Sequence, residues 1–351
     1  MVKLTYSLCC GFKIPLQKSQ YLQFDLSDQE SSKIREAMSH IQYDPTGSPE
    51  YIYKVRSTAY KKFPARLLKL MEFEKSTLKP HASIVINHLP IDANITGSPA
   101  FNETGSFYKS GTISENTLVA ISLLLGEPFS ISFESHELVN NIVPNQHHQN
   151  AYTALGALTE LDFHIENAAL NFLVDDDCSP SGLLLLGIRR EPTTPVYTYF
   201  SDVRLALQLL DPQTIYILRS PLFNIKLPYR WRDALKQIMT KKVSLISGPE
   251  LAPRAHAAFY NDIIDCQNTQ AEMALQQFHN AVKAVSAEIN LQPGQLIYIN
   301  NKIAFHARSA FKPIYNAYGV GNRWLQRVCI SSDLWPMRRF KNINRIYYPD
   351  I

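Results

Sequence analysis

The sequence is poor in cysteine and carries little excess charge. Its five cysteines are odd in number and follow no disulfide or metal-binding spacing, which favours a reducing, cytoplasmic setting. The 35 basic residues exceed the 31 acidic ones by too little to indicate nucleic-acid binding. No apolar run approaches the ~20 residues of a membrane span. Neither a nucleic acid nor a membrane is therefore expected as a partner.

The composition is that of a soluble globular protein with a large core. Hydrophobic residues make up 45% of the chain and charged residues 19%. We expect one domain over residues 1–351. Helix-like apolar spacing predicts a mostly helical N-terminal layer at 1–125, whose last helix spans 114–125. Residues 126–335 are expected to form a strand-rich core, followed by a C-terminal tail at 336–351.

Short apolar runs bounded by Gly, Pro, Asn, Asp or Ser predict strands in this core. The runs are 131–133, 170–174, 183–188, 196–200, 214–218 and 243–246. One helix at about 269–288 interrupts them, and Thr269 with Glu272 forms a capping-box pattern at its start. A further pair of predicted strands flanks a turn at Asn300 and Asn301 and leads into His306.

His164, Glu166 and His306 are candidate metal ligands. Along an extended strand, residues i and i+2 project from one side, so His164 and Glu166 can converge on one ion. A His-x-acid triplet arises about once by chance in a chain of this composition, so this pair alone is weak evidence. His306 supplies the second imidazole that a non-haem iron site requires.

Arg323 and Arg327 are candidate carboxylate-binding residues in the second half of the chain. A guanidinium can bind a carboxylate through two parallel hydrogen bonds, and here two guanidinium groups stand four residues apart. The arrangement calls for two carboxylates. An oxygenase that binds a dicarboxylic cosubstrate and an amino acid supplies both.

Four stretches carry a resemblance to a known family. They are LDFHIENA at 161–168, LQPGQLIYINN at 291–301, FHARSAF at 305–311 and RWLQR at 323–327. Together they resemble the clavaminate synthase-like oxygenases, a group that includes asparagine oxygenase and arginine and lysine hydroxylases. The resemblance covers roughly residues 143–330. It implies an α+β fold with a distorted double-stranded β-helix (jelly-roll) core and flanking helices.

The resemblance also implies a metal and a reaction. Iron(II) would be bound by His164, Glu166 and His306, with 2-oxoglutarate and O2 as cosubstrates. The implied reaction hydroxylates an unactivated C–H bond of a free L-amino acid and releases succinate and CO2. In place of Ile165, the middle residue of the triplet, the family commonly has threonine.

Four further residues receive roles from the resemblance. Arg323 matches the arginine that binds the distal carboxylate of 2-oxoglutarate. Thr198 is nominated as the threonine that assists it, with Thr194 as the fallback. Arg327 matches the arginine that faces the α-carboxylate of the amino-acid substrate, beside Glu166. The segment that leads to Arg323 is about three residues longer than the family pattern.

The substrate side chain is indicated by acidic residues. Asp262 and Asp265 lie where relatives with basic substrates carry acids, and residues 175–177 form an acidic loop that could close over the site. These acids favour a basic substrate such as Lys or Arg, with Asn as a further candidate. The competing interpretation is a solvated loop at 175–177 and a structural Asp265 before the following helix.

Three alternatives remain open on the sequence. The chain could be a catalytically silent β-helix protein that binds a ligand. It could be a zinc hydrolase that uses the same three ligands, since zinc accepts them too. It could also be an oxygenase whose amino-acid substrate is tethered to a carrier protein.

Overall fold

The computed structural model describes residues 21–101, 103–153, 155–173, 176–260 and 263–349. The helices are α1 (Asp28–Ser39), α2 (Pro49–Lys62), α3 (Ala65–Ser76), α4 (Ile113–Leu125), α5 (Val203–Leu207), α6 (Pro212–Leu218), α7 (Tyr229–Leu235) and α8 (Thr269–Ala284). The strands are β1 (Leu22–Asp25), β2 (Ser83–Asn87), β3 (Glu127–Ile131), β4 (Asn140–Ile142), β5 (Leu161–His164), β6 (Gly182–Arg189), β7 (Thr198–Asp202), β8 (Phe223–Ile225), β9 (Ile246–Ser247), β10 (Arg254–Ala255), β11 (Ile264–Cys266), β12 (Ala287–Ile289), β13 (Leu296–Ile299), β14 (Ala304–Arg308), β15 (Trp324–Ser331), β16 (Lys341–Ile343) and β17 (Ile346–Tyr348). Short 3-10 helices lie at Gly105–Tyr108, Gln146–His148, Ala168–Phe172 and Trp335–Arg339.

Two sheets form the framework. The larger has nine strands in the order β1-β2-β13-β6-β15-β3-β17-β16, with β4 also paired to β15. The smaller has four strands in the order β12-β7-β14-β5. The pairs β1–β2 and β17–β3 are parallel, and the pairs that carry the site are antiparallel.

The core occupies both faces of the larger sheet. Leu183 and Leu185 of β6 pack in one buried cluster with Phe305 of the smaller sheet. Leu184 and Leu186 pack in a second cluster with the N-terminal helices. Because side chains alternate along a strand, this run of four leucines is buried on both sides.

The N-terminal layer covers one face of the larger sheet. α1 begins at a capping box formed by Ser27 and Glu30. α4 is buried along residues 114–124 and packs against β6 and β15. The described part of this layer contains α1 to α4, and β1 and β2 contribute the edge of the larger sheet.

A buried polar chain joins this layer to β15. The Gln326 side chain donates to the Glu115 carboxylate at 2.7 Å. Lys109, whose side chain is fully buried, donates to Glu115 at 2.6 Å and to Asp92 at 2.7 Å. Buried charges are tolerated when they are paired in this way.

Two predicted strands are wrong. Residues 214–218 lie in α6, and the run at 170–174 begins inside the 3-10 helix Ala168–Phe172. An apolar run of five residues does not by itself distinguish a strand from a short helix. Asp211 accepts a hydrogen bond from the amide of Thr214 and so caps α6, which favours the helical alternative.

Several boundaries differ from the prediction; of the strands predicted at 131–133 and 243–246, only Ile131 lies in β3 and only Ile246 in β9. α8 ends at Ala284 and is capped by Asn268, whose side chain accepts from the amide of Ala271, so Thr269 is already the first helical residue. In the predicted tail at 336–351, β16 and β17 form a hairpin that extends the larger sheet through β3. Within the described residues, we find no helix with the length and apolarity to span a bilayer.

Candidate active site

Neighbouring strands of the smaller sheet place the three candidate metal ligands together. His164 ends β5, and its Cα partner across the antiparallel pair is His306 of β14. The two imidazole centroids are 4.0 Å apart. Glu166 follows just beyond β5, and one potential ligand atom from each of the three side chains lies within 4.8 Å of the others. Their convergence is a consequence of the strand register.

The chemistry of this donor set fits iron(II). Burial, with a contribution from His306, lowers the pKa of His164 to about 3, so this imidazole is neutral near pH 7. Nδ1 of His164 lies 2.9 Å from the backbone carbonyl of Asp162. A carbonyl only accepts, so Nδ1 carries the proton and the Nε2 lone pair is available to a metal. Two imidazoles and one carboxylate are the ligands of non-haem iron(II) oxygenases.

The ligands line a cavity of about 400 Å³. This volume is in the range of small-molecule sites. Aromatic side chains form much of its wall, and the ring of Tyr260 meets the ring of His164 edge-on at 5.3 Å. Burial raises the pKa of Tyr260, so its hydroxyl stays protonated. The cavity therefore combines a polar end with an extensive apolar lining.

Arg327 is paired with two carboxylates in this cavity. Its guanidinium forms an ion pair with Glu134 and lies 3.4 Å from Glu166. Burial opposes the charge of Arg327, but Glu134 and Glu166 together raise its pKa. Burial alone would raise the pKa of Glu166, yet Arg327 and the contact with His306 hold it well below the usual value. Glu166 is therefore ionised, as a metal ligand must be.

Arg323 lines the same cavity in a different environment. Its side chain is buried, with its guanidinium 5.7 Å from the ring centre of Phe311. In the part of the chain that the structure describes, it makes no ion pair or hydrogen bond. Burial, together with the charge of nearby Arg308, lowers the pKa of Arg323. An anion that entered the cavity would relieve this unfavourable charge.

Thr198 lies opposite Arg308 and lines the same cavity as Arg323. It is buried in β7, is the Cα partner of Arg308 in β14, and lines the cavity. Thr194 does not belong to the lining. Arg308 donates to the backbone carbonyls of Ala157 and Thr159 at 3.2 and 3.0 Å, so its hydrogen bonds hold the neighbouring loop.

One of the predicted substrate acids, Asp265, does not line the cavity. Asp265 lies in β11, where it forms an ion pair with Lys226 at 2.8 Å, and the structure does not place it in the cavity lining. β11 pairs with β8, and this register turns Asp265 toward the lysine of the neighbouring segment. Asp262 lies outside the described residues.

The described acids of the loop at 175–177 form ion pairs with neighbouring basic residues. Asp176 pairs with Arg338, and Asp177 with Lys302 at 2.8 Å and Arg254 at 2.8 Å. Asp175 lies outside the described residues. The described part of this loop is therefore tied to neighbouring cations.

Two contributors to the site were missed by sequence reasoning. Glu134 follows β3 with no motif around it, and only packing against Arg327 brings it to the cavity. The sequence pattern predicts Asn301 only as a turn residue. Its side chain instead accepts from the backbone amide of Glu166 at 2.8 Å and donates to the carbonyl of the same residue at 3.0 Å. Its position five residues before His306 was the available signal.

Comparison with known proteins identifies relatives of this chain. No protein-family model matches it. It is 26% identical to L-asparagine oxygenase of Streptomyces coelicolor over 323 residues, which cover 88% of this chain and 89% of that protein. It is 25% identical to L-lysine 3-hydroxylase of Catenulispora acidiphila, over 61% of this chain and 57% of that protein. It is 26% identical to clavaminate synthase 2 of Streptomyces clavuligerus, over 54% of each chain. The predicted resemblance to clavaminate synthase-like oxygenases is confirmed.

Solved structures give the same result for the fold. An asparagine oxygenase in complex with Fe(II), 2S,3S-3-hydroxyasparagine and succinate has 23% identity and a TM-score of 0.79, covering 93% of this chain and 99% of that one. The non-heme iron oxygenase OrfP in complex with Fe and α-ketoglutaric acid has 23% identity and a TM-score of 0.77, with the same coverage. The chain has the fold of these oxygenases.

Proposed function

We propose that this protein is an iron(II)- and 2-oxoglutarate-dependent dioxygenase that hydroxylates an unactivated C–H bond of a free L-amino acid, giving succinate and CO2. One observation carries the proposal. Two buried imidazoles and one partly buried carboxylate line the same cavity as two buried arginines. A zinc hydrolase would have the first feature but no use for the second.

The chain's own residues supply the metal site and the cosubstrate site. His164, Glu166 and His306 would hold the iron, which when bound supplies dioxygen activation coupled to decarboxylation of 2-oxoglutarate. Arg323 would bind the distal carboxylate of 2-oxoglutarate, with the hydroxyl of Thr198 as a further donor. Arg323 is buried and makes no ion pair in the described structure, and the nearby charge of Glu191 does not prevent its pKa from being lowered, which supports this role.

Arg327 and Glu134 would receive the amino acid. The two side chains present a cation and an anion side by side, next to Glu166. This arrangement complements the α-carboxylate and the α-ammonium group of a zwitterion. Fixing both groups would orient one C–H bond of the substrate toward the metal.

The substrate panel begins with Lys, Arg and Asn. Relatives of the chain are named for Asn and Lys, and one solved neighbour contains a hydroxylated Asn. Asp262 is the remaining candidate acid for a basic side chain, since Asp265 is paired elsewhere. A substrate tethered to a carrier protein is the alternative within the same chemistry.

The finer architecture is also part of the proposal. We take the two facing sheets as a distorted double-stranded β-helix core, and residues 1–351 as a single oxygenase domain that acts on a small molecule in the cytoplasm. Packing of both sheets into one hydrophobic cluster supports the single domain.

Succinate release tests the proposal. Anaerobically purified protein is loaded with Fe(II), mixed with 2-oxoglutarate and oxygen, and assayed with each of the twenty amino acids. We expect Lys, Arg or Asn to stimulate succinate formation. His164→Ala should abolish it, whereas His148→Ala, which removes an exposed imidazole outside the cavity lining, should not. Failure of the wild type to bind iron would overturn the proposal.

A further inference from the structure

Glu166 lies where the strand that precedes it has ended. β5 stops at His164, and the amide of Ile165 donates to the carbonyl of Ala257 at 2.8 Å. Asn167 has φ 53°, a left-handed conformation that turns the chain away. The backbone of Glu166 therefore cannot rely on a continuing β-ladder to fix it.

The side chain of Asn301 takes the place of the missing strand. Its Oδ1 accepts from the Glu166 amide at 2.8 Å, and its Nδ2 donates to the Glu166 carbonyl at 3.0 Å. A side-chain amide offers the same donor and acceptor as a peptide group. The two bonds thus repeat the paired hydrogen bonds that two residues exchange in an antiparallel sheet.

Asn301 is itself held firmly. It is fully buried, its Nδ2 also donates to the Pro180 carbonyl at 3.0 Å, and its backbone amide donates to the Ser181 carbonyl at 3.1 Å. It belongs to the turn between β13 and β14, and β14 carries His306. One residue therefore connects the segment of Glu166 to the hairpin of His306.

We propose that Asn301 is a positioning residue that fixes the carboxylate of Glu166 relative to His306 and so sets the affinity of the metal site. The inference rests on the proposed function, because it assumes that these residues hold iron. Arg327 acts on Glu166 at the carboxylate, whereas Asn301 acts on its backbone. Loss of Asn301 should therefore change metal binding while the ion pair between Arg327 and Glu134 stays intact.

Metal titration of purified full-length variants tests this role. Fe(II) under anaerobic conditions and Co(II) are the probes, and the visible absorption of bound Co(II) reports its coordination geometry. Asn301→Ala removes both hydrogen bonds. Asn301→Asp keeps the size and the acceptor but removes the donor, and it decides the question if the alanine variant does not fold. We expect both variants to bind the ions roughly 10- to 100-fold more weakly, with an altered Co(II) spectrum.

Two controls separate positioning from general stability. Asn300→Ala removes the neighbouring turn asparagine, whose Oδ1 accepts only from the Lys302 amide in the described structure, and should leave the affinity within about threefold of wild type. Leu67→Ala removes a buried side chain of α3 and should lower the unfolding temperature of the apo protein without changing metal affinity.

The outcomes distinguish this inference from the proposed function. Wild-type affinity and spectrum in both Asn301 variants would overturn the inference alone. An equal loss of affinity in Leu67→Ala would also overturn it, since general destabilisation would then account for the effect. Failure of the wild type to bind either ion would overturn the proposed function and this inference together.

Discussion

Arg323 and Arg327 are the same residue type, four positions apart, one just before β15 and the other within it, but they meet opposite surroundings. Alternation along the strand turns Arg323, Leu325 and Arg327 toward the cavity, and Trp324 and Gln326 toward the N-terminal helices. Arg327 has two carboxylates within reach, and its pKa is raised. Arg323 has no ion-pair partner in the described structure, and burial together with the charge of Arg308 lowers its pKa, an effect that nearby Glu191 offsets only in part.

The difference shows how one short segment can carry both a preformed ion pair and a binding group that awaits its ligand. A buried cation whose charge is satisfied by the protein organises the site before any ligand arrives. A buried cation without an anionic partner is unfavourable until a ligand supplies one. The same segment therefore carries a preassembled part and a part that a carboxylate ligand would complete.

Replacement of Arg327 should have the largest effect on stability. Arg327→Ala leaves the partly buried carboxylates of Glu134 and Glu166 beside each other without the cation that pairs with both, which should cost about 3 kcal/mol. The free energy of unfolding of the apo protein in urea measures this loss. Arg323→Ala is the matched control and should lose much less, because it removes a cation without an anionic partner. Equal losses would remove the distinction between the two arginines.

Replacement of Arg323 should instead affect the cosubstrate. Arg323→Ala should weaken 2-oxoglutarate binding by about 2 kcal/mol or more, roughly 30-fold, because the distal carboxylate loses its ion-pair partner. The KM for 2-oxoglutarate and direct titration of the anaerobic Fe(II) protein both measure it. Unchanged 2-oxoglutarate binding in this variant would contradict the assigned role.

The contribution of Glu166 to the pH dependence of stability should have opposite signs in the wild type and in Arg327→Ala. In the wild type the pKa of Glu166 is lowered, so its stabilising contribution is present above the unfolded value of 4.5 and is lost as pH falls below it. Without Arg327, burial raises the pKa, and the unfavourable charge disappears on acidification. The stability gap between Arg327→Ala and the wild type should therefore narrow from pH 7 to pH 4. A constant gap would show that Arg327 does not hold Glu166 ionised.

Thr198 should contribute the smallest effect. Thr198→Val keeps the shape but removes the hydroxyl, and we expect the KM for 2-oxoglutarate to rise roughly 2- to 10-fold, as for loss of a hydrogen bond of about 0.5–1.5 kcal/mol. Thr194→Val is the matched control, since Thr194 lies outside the cavity lining. A larger effect at Thr194 would exchange the two assignments.

Local periodicity accounts for what could be predicted from the sequence. Spacing of two residues placed His164 and Glu166 on one side of an extended segment, and two guanidinium groups four residues apart indicated two carboxylate ligands. Each of these arguments needs only one strand. The pairing of His306 with His164 followed from the resemblance, and the strand register agrees with it.

Contacts between distant segments account for what was missed. Glu134 reaches the site only because β3 and β15 are neighbours in the larger sheet. Asp265 follows the cavity residue Tyr260 by only five positions. Its strand nevertheless pairs with β8, and its carboxylate forms an ion pair with Lys226. No spacing rule within one segment reports such partners, because they depend on which strands become neighbours.

The buried hydrogen-bond chain from Gln326 through Glu115 to Lys109 and Asp92 limits where the protein can be truncated. Gln326 lies between the two arginines in sequence, but its side chain projects from the opposite face of the sheet. There it donates to Glu115, which in turn accepts from Lys109, the partner of Asp92. A fragment that starts at residue 126 would remove these partners and expose the back of the strand that shapes the cavity. The helical layer ends at Leu125, the last residue of α4. We nevertheless expect truncation there to abolish ligand binding by Arg323 and Arg327, as mutation of these arginines would.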